Sequence, residues 1–487
     1  MPFLNLTIKE LHNELVKKTV TPLMLVKEAL LRIKADQTNA FITVMEEEAL
    51  DLAKKLIEPE IDNMFWGIPF VIKDNISTKG VITTGGAKML ENYVPLFDAT
   101  VVSILKKAKA IPIAKTSLDE LGIGGYGINS YRGPTYNPYD LTKTHIIGGS
   151  SSGSASAVAN AITPFGLGSD TGDSICKPAS YAGLVGLKPS WGLLSRFGLF
   201  SFNTTLDTLG FFTRSVYDAG LLLNLLAQKD ELDATNIKKE KEDYLRLIDD
   251  FEIKKTKVAI IKEIANDVID KDINTIFQKT IASFKNKGLK VDYVSLDMSL
   301  LNSLYPAYFI LTSAEATSNN ARLDGIKYGP SFKGETYEEI MFNARNEGFS
   351  NFTKRKLLFG EYFLSKENKE NTYVLAQKVR RLVVNEINKI FNEYDIIFLP
   401  ATPTTAPLIK DVSSALKEKP SLAENYMMIA NFGGFPSITV PIGFKGNLPF
   451  GGYLLSKQFN EAKLIQVAKL LEDISGYYNL SVRTKQK

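Results

Sequence analysis

The chain has 487 residues, of which 44% are hydrophobic and 23% charged, an ordinary composition for a soluble globular protein with a sizeable core. Its net charge of +4 is too small to indicate nucleic-acid binding by itself, and we expect the basic stretch Lys238–Lys241 to be solvated surface. The first residues carry no secretory signal, and no apolar run approaches the ~18–20 residues that span a bilayer, so we predict a cytoplasmic protein without a membrane partner.

The N-terminal elements, taken in chain order, are predicted to be structural. Thr7-Ile-Lys-Glu10 is a capping box that begins one helix, and Thr21-Pro22 supplies the N-cap and first position of a second helix that ends at Ile33. A strand is predicted over Ala40–Val44 and a charged surface helix over Glu46–Ile57. None of these patterns indicates chemistry.

The apolar run Ile68–Ile72 predicts a buried strand, and Lys73 follows it directly. Taken alone, this pattern favours a strand-end lysine whose ammonium group reaches solvent. A helix over Thr100–Ala108 and a strand over Ile111–Lys115 come next, and this alternation is typical of a parallel or mixed sheet.

The stretch Gly148–Pro178 stands out from the rest of the chain. A Gly/Ser loop leads into a helix of small residues, and a second Gly/Ser turn follows. Glycine has no Cβ, so such loops can bring backbone N–H groups close to a ligand. Two of them, joined by a tightly packed Ala/Val helix, indicate one rigid polar site, and we interpret the stretch as a catalytic centre.

The remaining sequence continues an α/β pattern without internal repeats or a long linker. The predicted strands lie at Leu184–Leu187, within Gly192–Phe200, and at Val258–Ile261, Leu289–Val294, Ile396–Leu399, Ser437–Val440 and Gly451–Leu455. The predicted helices lie at Val216–Ala227, Asp270–Lys287 and Glu461–Ile474, with further long helices up to about Asn392. The charged segment Asp230–Lys257 is predicted to be an exposed helical excursion. We therefore expect one domain over residues 1–487, with a catalytic core at about 60–220 and one sheet that includes strands on both sides of the excursion.

Three motifs that match known phosphate or serine sites fail on their context. Gly122–Gly127 matches G-x-G-x-x-G, but the turn-forming stretch after it leaves no helix to hold a pyrophosphate. The loop Gly148–Ser154 lacks the Lys-Ser/Thr ending of a Walker A motif. Gly149–Gly153 matches G-x-S-x-G, but no histidine follows the serine, as an α/β-hydrolase requires.

Cysteine and histidine leave few other options. Cys176 is the only cysteine, which excludes an intrachain disulfide, and we interpret it as a buried structural thiol. His12 and His145 are too few for a His-rich zinc site, so no metal site is predicted, and we interpret His145 as a loop residue. A serine nucleophile activated by a lysine remains, which requires that burial keeps the amine neutral, and Lys73 is the candidate.

These stretches resemble the amidase signature family. Gly148–Ser154 and Gly168–Ile175 are similar to its serine motifs, and Gly67–Asn75 is similar to its lysine motif. Three motifs in register are more specific than any one of them. The resemblance covers nearly the whole chain and implies a single large α/β domain, with a central mixed β-sheet covered by helices on both faces.

The resemblance also implies a Ser–Ser–Lys triad. In this sequence Lys73 is the implied base, Ser150 the bridging serine at an unusual cis peptide, and Ser174 the nucleophile. The implied oxyanion hole consists of the backbone N–H groups of Thr171, Gly172, Asp173 and Ser174. These roles replace the interpretation of Lys73 as a solvent-exposed strand end.

Within that family, the chain is most similar to the glutaminase subunits of tRNA-dependent amidotransferases. The similar stretches are Asp98–Val102, Lys115–Glu120, Ser313–Gly325, Tyr373–Val379 and Phe435–Pro441. The resemblance implies that the chain hydrolyses glutamine to glutamate and ammonia without a cofactor of its own. It further implies a heterotrimer with two partners, the B and C subunits of the amidotransferase. The ammonia would pass to the B subunit, which uses ATP and Mg²⁺ to convert Glu-tRNA(Gln) to Gln-tRNA(Gln), while the small C subunit holds the other two together.

Glutamine in this subfamily is held by an acidic and a basic residue, and the aligned candidates are Tyr308, Arg355, Lys356 and Glu424. Two departures occur in the nucleophile loop, where Asp173 replaces a glycine and Cys176 replaces an arginine. A carboxylate at Asp173 would oppose an oxyanion unless its side chain points away. Two alternatives stay open: a stand-alone amidase for small or aryl amides, and a structural subunit without activity.

Overall fold

The structure is a computed structural model that describes residues 2–237, 242–414 and 421–485, so Lys238–Lys241 lies outside the described residues. Its strands are β1 (Phe41–Val44), β2 (Pro69–Lys73), β3 (Ile111–Thr116), β4 (Phe165–Asp170), β5 (Val185–Lys188), β6 (Thr208–Thr213), β7 (Lys257–Ile261), β8 (Lys290–Val294), β9 (Ile396–Pro400), β10 (Ser437–Lys445) and β11 (Leu448–Ser456). All of them belong to a single sheet.

The sheet is mixed, in the order β1-β3-β2-β4-β6-β5-β10-β11-β9-β7-β8. Strand β2 runs parallel to β3 and β4, and β7 runs parallel to β8 and β9, whereas the other neighbours are antiparallel. Strands β2 to β6 and β9 are buried along their whole length, which requires cover on both faces of the sheet. The predicted mixed sheet is confirmed, including its extension across the charged segment.

The helices lie mostly in the connections between strands, and the others precede β1 or follow β11. They are α1 (Ile8–Val16), α2 (Pro22–Lys34), α3 (Glu46–Lys55), α4 (Thr100–Lys107), α5 (Ser152–Ala159), α6 (Cys176–Ala182), α7 (Val216–Leu226), α8 (Tyr244–Asp249), α9 (Lys262–Asn266), α10 (Lys271–Asn286), α11 (Met298–Asn302), α12 (Leu304–Asn320), α13 (Tyr337–Gly348), α14 (Asn351–Leu364), α15 (Leu375–Phe391), α16 (Ile409–Ser414), α17 (Leu422–Asn425), α18 (Met428–Gly433), α19 (Glu461–Ser475) and α20 (Val482–Lys485). None of the described helices is long and apolar enough to cross a membrane.

The predicted helix starts are confirmed where a side chain caps the backbone. Thr7 Oγ1 accepts the N–H of Glu10, and Glu10 Oε2 accepts the N–H of Thr7 at 2.8 Å, which completes the capping box of α1. Thr21 Oγ1 accepts the N–H of Met24 at the start of α2, where Pro22 occupies the first helical position.

Strand β4 was not predicted, because its Phe-Gly-Leu-Gly-Ser-Asp sequence has the composition of a loop. In the structure it lies inside the sheet, between β2 and β6, and in the chain it lies between α5 and α6. A Cβ on Gly168 would lie 2.5 Å from Ile175 Cδ1, and one on Gly166 would lie 2.9 Å from Val71 Cγ2. Glycine is therefore needed here for close packing, and packing outweighs the low strand propensity of the sequence.

The predicted helical excursion over Asp230–Lys257 is wrong for most of the segment. Of the residues that the structure describes in this segment, only α8 and a 3₁₀ turn at Ile253–Lys255 are helical, and Lys257 begins β7. Asp230 Oδ2 accepts hydrogen bonds from Thr100 Oγ1 and Ser195 Oγ, so its carboxylate attaches the segment to the body of the protein. Asp230 Oδ1 and Asp233 Oδ1 also accept the backbone N–H groups two residues later, at 2.9 Å each, and such local hydrogen bonds compete with helix formation. Gly192–Phe200, where strand was also predicted, forms turns with one bridge between Leu199 and Ile76.

Candidate active site

Lys73 ends β2, and its side chain is completely buried. Its Nζ lies 2.7 Å from Ser150 Oγ, 2.8 Å from Ser151 Oγ and 2.9 Å from Ser169 Oγ. Burial lowers the pKa of Lys73 to about 7, because desolvation penalises the ammonium form more than nearby carboxylates such as Asp170 favour it. A substantial fraction of this amine is therefore neutral at physiological pH, as a general base must be.

The hydroxyl groups around Lys73 determine where its lone pair can point. Ser151 Oγ donates to the carbonyl oxygen of Ser169 at 3.0 Å, so it can only accept from the lysine. That same carbonyl oxygen, 3.2 Å from Nζ, accepts as well. Together these two acceptors can use both N–H groups of a neutral amine, which leaves its lone pair for a hydroxyl proton such as that of Ser150.

Ser150 precedes α5, and the Gly149–Ser150 peptide bond is cis, as the resemblance implied. Only 2% of Ser150 is exposed. A Cβ on Gly149 would overlap Asp119 Oδ2, which explains the glycine before the serine. Asp119 in turn accepts the N–H groups of Gly127 and Asn129 at 3.0 and 2.9 Å, so one buried carboxylate connects the serine loop to the loop that follows β3.

Ser174 lies in the turn between β4 and α6 and is also buried. Within the described part of the chain, Ser174 Oγ and the backbone N–H groups of residues 171–174 have no hydrogen-bond partner. The turn is anchored on both sides: Thr171 Oγ1 donates to Asp207 Oδ1 at 2.7 Å, and Ile175 N donates to Asp170 Oδ2 at 2.6 Å. Fixed N–H groups without acceptors suit the binding of an oxyanion.

A cavity of about 290 Å³ reaches this turn at Gly172 and Asp173. Its wall includes all four residues predicted to hold a substrate, namely Tyr308, Arg355, Lys356 and Glu424. A Cβ on Gly172 would lie 2.7 Å from the Tyr308 hydroxyl oxygen, so the tyrosine lies directly against the nucleophile turn. The tertiary structure thus brings the predicted substrate residues together beside the turn that carries the predicted nucleophile.

Arg355 and Lys356, the two basic residues predicted to bind the substrate, differ in their environments. Lys356 is buried, donates to Thr312 Oγ1 at 2.8 Å, and lies 4.7 Å above the centre of the Phe309 ring. Burial lowers its pKa to about 7. Arg355 is exposed and lies over the Phe352 ring, so Lys356 is the buried one of the two predicted cations.

Asp173 and Cys176, the two departures from the family pattern, both have clear positions. The Asp173 carboxylate forms an ion pair with Lys177, a residue that the sequence patterns did not single out. Cys176 is 1% exposed, its Sγ lies 3.5 Å from Ser437 Oγ, and burial raises the pKa of its thiol to about 12. The interpretation of Cys176 as a buried thiol is confirmed.

Sequence reasoning missed the residues that support Lys73, namely Ser151, Ser169 and Asn75, whose Nδ2 donates to Ser169 Oγ at 3.0 Å. Their positions at strand and loop ends beside the predicted base were the available signal.

His145 lies in a loop, as predicted, with Nδ1 2.8 Å from Asp140 Oδ2. In the described ranges, no three His, Cys, Asp or Glu side chains form a group that could hold a metal ion.

Comparison with known proteins places this geometry in context. A family model described as Amidase matches residues 24–465. The A subunit of glutamyl-tRNA(Gln) amidotransferase from Pediococcus pentosaceus is 40% identical over 479 residues, which cover 97% of each chain. The crystal structure of the corresponding A subunit from Thermotoga maritima matches 97% of this chain and 95% of that chain, with a TM-score of 0.80 and 34% identity. The peptide amidase from Stenotrophomonas maltophilia matches with a TM-score of 0.83 and 25% identity, over 97% of both chains.

Proposed function

This chain belongs to the amidase family, and on that basis we propose that it hydrolyses the side-chain amide of glutamine, as the ammonia-supplying subunit of a tRNA-dependent amidotransferase. The observation that carries the proposal is the 2.7 Å contact between the buried Lys73 amine and Ser150 Oγ, close to a turn with unpaired N–H groups. The near-complete coverage of amidotransferase subunits at 40% identity supports the biological role.

The proposed reaction needs only side chains and backbone groups of this chain. Neutral Lys73 accepts the proton of Ser150, and Ser150 accepts the proton of Ser174 as Ser174 Oγ attacks the amide carbon. The N–H groups of residues 171–174 stabilise the oxyanion that forms. Ser150 then donates a proton to the leaving nitrogen and takes one back from Lys73, the C–N bond breaks, and ammonia departs. Water hydrolyses the ester on Ser174 and releases glutamate.

The charges in the cavity suit a free amino acid. Lys356 and Arg355 can bind a carboxylate, while Glu424 can accept hydrogen bonds from an ammonium group. Tyr308, which lies against Gly172, limits the space in front of the nucleophile turn. A simple apolar amide would leave the buried Lys356 without a counter-charge, so the wall favours glutamine over aryl amides.

The partner subunits and their cofactors form the second part of the proposal. Ammonia from this chain passes to the B subunit of a heterotrimer, which uses ATP and Mg²⁺ to amidate Glu-tRNA(Gln), and a small C subunit joins the two. The names of the curated relatives, each the A subunit of a glutamyl-tRNA(Gln) amidotransferase, support an assembly of more than one subunit. The proposed location is the cytoplasm, where aminoacyl-tRNA is used.

Ammonia release from glutamine tests the proposal. The chain is assayed alone and co-expressed with the B and C subunits, with ATP and Glu-tRNA(Gln) present or absent. We expect turnover that depends on the partners and is abolished by Ser174→Ala, whereas Ser299→Ala, at an exposed serine at the start of α11, leaves it unchanged. Absence of any glutamine turnover in the complete complex would exclude the proposal.

The second candidate is a stand-alone amidase, which the match to the peptide amidase favours. It predicts partner-independent hydrolysis of simple amides with no preference for glutamine. The same assay, run with benzamide and a C-terminally amidated dipeptide beside glutamine, separates the two functions.

A further inference from the structure

An ion pair lies in the wall of the cavity, next to the nucleophile turn. Asp173 is the residue before Ser174, and Lys177 lies one helical turn later, with its backbone N–H bonded to the Asp173 carbonyl oxygen at 2.9 Å. Their side chains form an ion pair, and both line the cavity. A Cβ on Gly125 would lie 3.6 Å from both Asp173 Oδ2 and Lys177 Nζ, so the glycine loop packs directly against the pair.

The carboxylate of this pair is in an unfavourable place. Burial raises the pKa of Asp173, and the Lys177 cation opposes that change. The other titratable groups that interact with Asp173 are two carboxyl groups, four phenols and the amine of the base, namely Asp119, Asp170, Tyr126, Tyr181, Tyr305, Tyr308 and Lys73. Among the described residues, Lys177 is the only one that forms an ion pair with Asp173.

We propose that Lys177 is a positioning residue of the amide-cleaving site, whose ammonium group holds the Asp173 carboxylate aside and neutralises it so that the turn 171–174 can stabilise an oxyanion. The inference rests on the proposed function, in which Ser174 is the nucleophile. Lys177 itself is fixed from a second side, since its Nζ lies 5.6 Å from the centre of the Tyr126 ring.

Neutralisation of Asp173 also matters for the base. The negative charge of Asp173 is among the influences that raise the pKa of Lys73, whereas catalysis needs the neutral amine. A cation beside Asp173 offsets that influence. The ion pair therefore keeps the charge of Asp173 from opposing the oxyanion at the turn 171–174 and from raising the pKa of Lys73.

The test replaces the charge of Lys177 while keeping its bulk. Lys177→Met leaves Asp173 buried without its cation. We expect kcat for glutamine in the complete complex to fall roughly tenfold or more, because the repulsion between an unpaired carboxylate and the oxyanion should be worth at least about one pKa unit. The loss should grow as the pH rises and Asp173 ionises. A plot of kcat against pH should therefore fall at alkaline pH in this variant but not in wild type, and we call this fall the alkaline limb. Lys177→Arg keeps the cation and should retain most of the activity.

The double variant Asp173→Asn/Lys177→Met removes both charges, so the alkaline limb of kcat should disappear and most of the lost activity should return. Lys389→Met, which removes one member of an exposed ion pair with Glu386, is the matched control and should behave as wild type. Thermal unfolding of every variant separates misfolding from a catalytic effect.

Each outcome has a distinct meaning. If wild type turns over glutamine but Lys177→Met has an unchanged kcat profile, or if the double variant is as impaired as the single one, the role of Lys177 is wrong. If the wild-type complex itself releases no ammonia from glutamine, the proposed function fails, irrespective of Lys177.

Discussion

Lys73 Nζ lies 2.8 Å from Ser151 Oγ, almost as close as the 2.7 Å that separates it from Ser150 Oγ. The two serines are adjacent in the chain but have different hydrogen-bond partners. The Ser151 hydroxyl donates to the carbonyl oxygen of Ser169, so its proton is not available to the lysine. Ser151 therefore orients the amine, while Ser150 can exchange a proton with it.

The first prediction follows from that difference. Ser151→Ala removes one acceptor of the amine and should lower kcat for glutamine roughly tenfold, the effect of about one buried hydrogen bond, with little change in KM. Steady-state kinetics of the complete complex measure it. Ser152→Ala, at a buried serine bonded to Thr135 and not to Lys73, is the control. Equal losses in both variants would contradict an orienting role for Ser151.

The pH profile reports on Lys73 directly. Its lowered pKa of about 7 means that the amine is mostly protonated below that pH and mostly neutral above it. Because only the neutral amine can accept the proton of Ser150, kcat should rise with pH through an apparent pKa of about 7. A kcat that stays constant from about pH 6 to about pH 8.5 would show that another group, or none, acts as base.

Lys356 should affect the affinity for glutamine, which should decrease as the pH rises, whereas the activity of the base Lys73 increases. Burial lowers its pKa to about 7, so it loses its charge as the pH rises above that value, although a bound carboxylate would stabilise the charged form. We expect KM for glutamine to increase at alkaline pH, and Lys356→Met to raise KM at neutral pH and remove this dependence. Arg355→Met, at the exposed neighbour, should raise KM less. A larger effect of Arg355→Met would identify the arginine as the carboxylate ligand.

The residues behind the base allow a prediction about stability. Asp74 follows β2 directly, and Lys115 lies within β3. Their side chains form a fully buried ion pair, with Asp74 Oδ1 and Lys115 Nζ 3.4 Å apart. Lys115→Met leaves the carboxylate buried without its cation and should lower the free energy of unfolding by about 3–5 kcal/mol. Lys54→Met, in an exposed pair with Asp51, should change it by less than about 0.5 kcal/mol. Urea unfolding compares the two variants, and similar small changes in both would contradict the structural importance of the buried pair.

Part of the fold could be predicted because the relevant contacts are local in sequence. The capping box at Thr7 and the N-cap at Thr21 begin helices through hydrogen bonds that span three residues. The buried strand before Lys73 was predicted from its apolar residues alone. Local composition failed at β4, where glycines serve close packing between layers that only the folded chain brings together.

The sequence by itself determined the residue types of the site, because the lysine motif and the two serine motifs occur in the order and spacing that resemble the amidase signature. Only the tertiary structure decided how they act together. The low pKa of Lys73 results from burial, and Ser151 and Ser169, which orient the amine, belong to two different segments. The direction of Asp173 was likewise open until α6 placed Lys177 beside it. Desolvation and charge pairing depend on which groups surround an atom in space, and that information is distributed over the whole chain.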